Sequence, residues 1–165
     1  MLRRQSALAS RLLGGNLLST VRVLVVDDYA PWMSFVSAAL AAKPEVRVVG
    51  QVTDGLTALQ KVVELKPDLV VLDIGLPDIS GIKVAQEILD LAPKTRILFL
   101  SENTCPAVVR AALLTGAQGY VVKSSAAREL MPALEALLLD CYFVSAAANH
   151  FGPGDGPLFR RLSDA

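Results

Sequence analysis

The chain has 165 residues, with 16 lysines and arginines balanced by 16 aspartates and glutamates, 53% hydrophobic residues and 19% charged ones. That length suits one domain of ordinary size, and so apolar a composition excludes an intrinsically disordered chain. Zero net charge excludes a broad electrostatic pull towards nucleic acid or an anionic membrane, and no apolar run reaches the ~20 residues that span a bilayer.

Residues 1–20 carry Arg3, Arg4 and Arg11, no acidic residue, and leucine, alanine and serine between them. That composition suits a transit peptide, but a plain flexible extension is the simpler reading. Gly14, Gly15 and Asn16 break the apolar stretch that a secretory signal would need.

From Val21 the pattern changes. Val21–Val26 (VRVLVV) is a β-branched apolar run that ends in Asp27 and Asp28, as a buried strand does at its carboxyl end. Trp32, Phe35, Val36, Ala39 and Leu40 then repeat at helical spacing, with Pro31 placed for the first turn. The alternation recurs four more times. Strands are expected at Val46–Gly50, Leu69–Leu72, Arg96–Leu100 and Gly119–Val122. The helices between and after them are traced by Ala58, Leu59, Val62 and Leu65, by Ile82, Ala85, Ile88 and Leu89, by Val108, Val109, Ala112 and Leu113, and by Leu130, Leu134, Leu137 and Leu138. Pro132 falls inside the fifth helical pattern, so that helix must kink there or begin its regular part after Ser125.

Five strand–helix pairs in about 120 residues demand parallel crossovers and a sheet covered on both faces. The expectation is an α/β, (βα)5 doubly wound domain over residues 21–140, its five-stranded parallel sheet in the flavodoxin-like order 2-1-3-4-5. Residues 141–165, with GPGDGP at 152–157, read as an irregular tail.

Open parallel sheets bind ligands beyond the carboxyl ends of their strands. Asp27 and Asp28 fall there after the first strand, Asp73 after the third, Ser101 after the fourth and Lys123 after the fifth. Taken singly, such an aspartate or serine caps a turn, and such a lysine is solvated. Together they suggest a Mg²⁺-assisted phosphoryl-transfer site. Three clustered carboxylates repel unless a hard cation joins them, and a lysine and a hydroxyl suit phosphoryl oxygens. Cys105 and Cys141 are too few for a disulfide scaffold, which favours a reducing compartment, and the single His150 argues against a multi-histidine metal centre.

The segments VRVLVVDD (21–28), PDLVVLDIGLPDISGI (67–82), RILFLS (96–101) and GAQGYVVKS (116–124) carry a family resemblance. Over about 120 residues the chain resembles the receiver domain of two-component response regulators, most closely those of the NarL/LuxR class. The resemblance implies a phosphoacceptor rather than an enzyme. Asp73 would take a phosphoryl group from a histidine kinase or phosphotransfer protein. Asp27 and Asp28 would form the acidic pocket for Mg²⁺ with Asp73 and the Gly75 carbonyl. Ser101 and Lys123 would hold the phosphoryl oxygens, and Tyr120 would be the aromatic switch. The readout would be a repacked surface around the fourth helix, fifth strand and fifth helix, in a cytoplasmic phosphorelay.

The chain departs from NarL/LuxR proteins in two respects. Only 25 residues follow Asp140, fewer than a helix-turn-helix bundle of ~60 residues needs, so output by protein contact is expected in place of DNA binding. Glu102 directly follows Ser101, where the family commonly has a smaller residue. It is expected to obstruct approach to Asp73, while Asn103, if turned inward, would instead hold an attacking water. Homodimerisation is left open. The alternative is a degenerate receiver used as a scaffold. A haloacid-dehalogenase-type phosphatase would want a second aspartate where Gly75 stands, and a cobalamin-binding module would want a histidine before residue 150.

Overall fold

Among the described residues, six strands run in parallel in the order β2-β1-β3-β4-β5-β6. They are β1 (Val21–Val26), β2 (Val46–Val52), β3 (Leu69–Leu72), β4 (Arg96–Ser101), β5 (Gly119–Val122) and β6 (Phe143–Val144). The helices are α1 (Ala30–Ala41), α2 (Gly55–Leu65), α3 (Gly81–Leu91), α4 (Pro106–Leu114) and α5 (Ala126–Leu138). This computed structural model describes residues 20–151. The basic extension at 1–19 and the GPGDGP segment lie outside the described residues.

The alternation of side chains along each strand divides the core between two faces. Leu24, Val26, Leu72, Phe99 and Tyr120 pack with Val62 of α2, Ile88 of α3 and Val109 of α4. Val23, Val25, Leu98 and Val121 pack on the other face with Leu40 of α1 and Leu134 of α5. β3 and β5 are buried along their whole length, which is why LVVL and GYVV read as unbroken apolar runs. Pro31 sits in the first turn of α1, where its missing N–H costs nothing. α5 continues through Pro132 and begins at Ala126, after a 3-10 turn over Lys123–Ser125. The proline removes one rung of the ladder without ending the helix.

The sheet differs from the expected five strands at its β5 edge. α5 ends in a left-handed turn: Asp140 has φ 58°, and the Cys141 N–H returns to the Ala136 carbonyl at 2.9 Å. That motif reverses the chain. Phe143 and Val144 then pair with Gly119 and Tyr120 as β6, and a 3-10 turn follows at Ala146–Ala148. Ala148 is fully buried in the same cluster as Tyr120, with Val144 and Phe151 packed against it. Residues 143–148, which fall within the tail expected to be irregular from 141, are therefore part of the folded domain, with Phe143 and Val144 in the sheet. A two-residue strand is too short to leave a period-2 pattern.

Candidate functional site

The ladder itself brings the acids together. The Asp73 N–H donates to the Val26 carbonyl at 2.9 Å, so the residue after β3 lies beside the residue after β1. Carboxylate oxygens of Asp27, Asp28 and Asp73 lie within 4.8 Å of one another. Asp27 and Asp73 are buried and Asp28 is exposed. Each buried carboxylate is anchored by backbone: the Tyr29 N–H donates to Asp27 Oδ1 and the Ile74 N–H to Asp73 Oδ1, both at 2.8 Å. Lys123 is delivered from the end of β5. Its Nζ lies 2.7 Å from Asp27 Oδ2 and 3.5 Å from Asp73 Oδ2, and 5.4 Å from the centroid of the Trp32 ring.

The loop after Asp73 is shaped by two close approaches. A Cβ on Gly81 would lie 2.0 Å from the Asp73 carbonyl oxygen, so α3 can start against the site only with glycine there. A Cβ on Gly55 would lie 2.5 Å from Ile79, so α2 likewise starts against this loop. Asp78 completes the junction by accepting from the Gly55 and Leu56 N–H groups, each at 2.8 Å, which hold its carboxyl down at about 2. The reach from Asp73 through Leu76 and Pro77 to Gly81 is thus a packing requirement as well as a chemical one. Sequence reasoning missed the role of Asp78. Its signal was present, an acid in a proline turn opposite the start of a helix.

Ser101, Glu102 and Asn103 form the opposite wall of an open cavity of about 480 Å³ that also presents Asp28, Asp73, Gly75, Trp32 and Lys123. Ser101 is buried; its Oγ accepts from the Asn103 N–H at 3.2 Å, and its side chain is hydrogen-bonded with the Tyr120 hydroxyl. The Asn103 side chain accepts from the N–H of Cys105, the residue before α4, at 2.9 Å, which fixes the turn leading into that helix. Its side-chain oxygen is thereby engaged, and the residue still lines the cavity with Asp73. Glu102 is exposed and lines the cavity mouth. Tyr120 lies behind this wall, fully buried and turned inward, its hydroxyl donating to the Asn103 carbonyl at 2.7 Å. Its ring is 6.2 Å from that of Phe99. Burial pushes the Tyr120 hydroxyl up from its ordinary value.

Three carboxylates against one ammonium leave two negative charges when all are ionised. Burial raises the Asp73 carboxyl above its ordinary value; Lys123 opposes that shift and Asp27 adds to it. The donors are all hard oxygens, and two unbalanced charges match one divalent cation. The residues present therefore fit a Mg²⁺ ion.

A family model of the response regulator receiver domain matches residues 23–135. The chain belongs to that family. Receiver domains of this kind serve two-component phosphorelay signalling, are generally phosphoacceptors and generally bind Mg²⁺. The receiver is 36% identical over 121 residues to a probable transcriptional regulatory protein NarL of Mycobacterium tuberculosis, covering 73% of this chain and 54% of that protein. It therefore spans about half the length of that relative. The chemotaxis protein CheY of Thermotoga maritima is 37% identical over 102 residues, 62% of this chain and 84% of CheY. A LuxR-family two-component response regulator from Aurantimonas superposes with a TM-score of 0.73 at 29% identity, covering 88% of this chain and 97% of that one. Among the described residues, no helix is long and apolar enough to cross a membrane.

Proposed function

We propose that this receiver accepts a phosphoryl group on Asp73 from the phosphohistidine of a histidine kinase or phosphotransfer protein and passes the signal on by protein contact in the cytoplasm. The observation that carries this reading is Lys123: a buried ammonium placed between Asp27 and Asp73, with the Ser101 hydroxyl across the cavity. An Asp73 oxygen attacks phosphorus, the P–N bond breaks, and its electron pair returns to the imidazole nitrogen of the donor. Lys123 neutralises charge on the transferring group, and the Ser101 hydroxyl turns from Tyr120 to donate to one phosphoryl oxygen. Asp27, Asp28 and Asp73 with the Gly75 carbonyl would hold the Mg²⁺. That ion, when bound, supplies the remaining charge neutralisation at the phosphoryl oxygens. Tyr120, seated behind Ser101, ties the state of that wall to α4 and β5, the surface we assign to output. Zero net charge favours a protein partner over DNA.

The test is phosphotransfer from a panel of labelled histidine kinases. Label should move to this receiver from at least one kinase in Mg²⁺ and not in EDTA. Failure of every kinase and of acetyl phosphate to label it in Mg²⁺ would overturn the reading.

A further inference from the structure

The β6 strap ends in a buried polar junction that the phosphoryl chemistry does not use. Ser145 is fully buried. Its N–H donates to the Tyr120 carbonyl at 2.8 Å, and its Oγ accepts from the Val122 N–H at 2.9 Å. The same hydroxyl donates to the carboxylate of Glu129, in the first turn of α5. One side chain thus joins three elements: the end of β5, the strap and α5. The residues it grips on β5 flank Val121 and lead directly into Lys123.

An apolar residue would fill the same space but leave the buried Val122 N–H without its acceptor. A serine bonded to a glutamate instead specifies one geometry, because each polar group left unpaired there would cost free energy. Val122 is the last residue of β5, and Ser101 of β4 pairs with it. Beyond it the backbone turns so that Lys123 can reach back to Asp27 and Asp73. The other site residues come from β1 and β3, away from the strap.

We propose that Ser145, held by Glu129, is a positioning residue for the phosphoryl-binding half of the site: it fixes the end of β5 and, through it, Lys123 and Tyr120. This rests on Lys123 being the phosphoryl-binding lysine. It also makes the strap a reporter, since a group held by Lys123 and Ser101 stabilises the β5 geometry that Ser145 grips. By linkage, the strap and a bound phosphoryl group strengthen one another by the same factor.

The test separates the two halves of the site. Mg²⁺ alone, and then beryllofluoride in saturating Mg²⁺, are titrated by Trp32 fluorescence into the wild type, Ser145→Ala and Glu129→Gln. Amide exchange at Val122 and Ser145 is followed in parallel. Ser145→Ala should bind beryllofluoride ~fivefold more weakly, the loss of about one hydrogen bond, with Mg²⁺ affinity within about twofold of wild type. Glu129→Gln, which keeps an acceptor for the hydroxyl, should behave as wild type. Beryllofluoride should slow exchange at Val122 and Ser145 in the wild type. Equal loss of both affinities in Ser145→Ala would mean general loosening, and unchanged beryllofluoride binding with faster Val122 exchange would mean no coupling; either overturns the proposal. If Ser145→Ala does not fold, Glu129→Ala serves in its place with the same expectations. A wild-type protein that takes up Mg²⁺ but never beryllofluoride removes the phosphoacceptor reading itself.

Discussion

Asp27 and Asp73 directly follow neighbouring strands at the middle of the sheet, and Ser145 lies beside its outer edge, yet all three are buried polar groups held by backbone N–H donors. The difference lies in what holds them together. The central pair is like-charged, and its members depend on a shared cation, Lys123. The outer junction is a chain of hydrogen bonds, from the Val122 N–H through Ser145 to the Glu129 carboxylate, with no second acid beside it to repel. The centre is therefore built to take in and release charge, and the edge to keep one geometry. Lys123 belongs to both, being held on β5 by the edge and drawn to the acids at the centre.

The sharpest way to break that comparison is to remove Lys123. Lys123→Met leaves Asp27 and Asp73 buried without their cation, and stripping one member from a buried ion pair typically costs about 3–5 kcal/mol. Urea unfolding in EDTA should show a loss of that order, and Mg²⁺ should restore part of it by supplying the missing charge. A variant as stable as wild type in EDTA, or one indifferent to Mg²⁺, would mean that the acids do not depend on a cation.

A smaller effect of opposite sign is expected at Asp73. Its carboxyl is raised by burial, so the folded chain holds that proton more tightly than the unfolded chain. Ionisation then works against folding as pH rises through the window between the ordinary value of 3.8 and the raised one. Asp73→Asn removes the penalty. In EDTA it should melt a few degrees above wild type at pH 7, and the two curves should converge as the pH falls below the ordinary Asp range. A lower melting temperature for the variant at pH 7 would show that the carboxylate is stabilised by its surroundings.

The two regions also differ in how far they were legible. VRVLVVDD and LVVLD announce buried strands whose ends carry acids, and one rule about parallel sheets places those ends together. The Gly81 position follows from the same motif, although its cause, a Cβ 2.0 Å from the Asp73 carbonyl, needs coordinates. Ser145 left no such trace. Phe143 and Val144 are too few to show a strand period, and Ser145 matters through contacts to Val122 and Glu129, residues 23 and 16 positions away. Asn103 is intermediate: its nearness to the site was readable, but the bond from the Cys105 N–H that engages its side-chain oxygen was not. Local pattern exposes what repeats or sits at element ends; a bond across three elements has no local pattern.

If Asp73 alone accepts the phosphoryl group, the intact mass of the protein and of its Asp73 variant will differ after exposure to a small phosphodonor. Wild type and Asp73→Asn are incubated with acetyl phosphate and Mg²⁺, then weighed. The wild type should gain one phosphoryl group, lost on treatment with hydroxylamine as an acyl phosphate should be, and the variant none. Equal labelling of Asp73→Asn would contradict Asp73 as the sole acceptor.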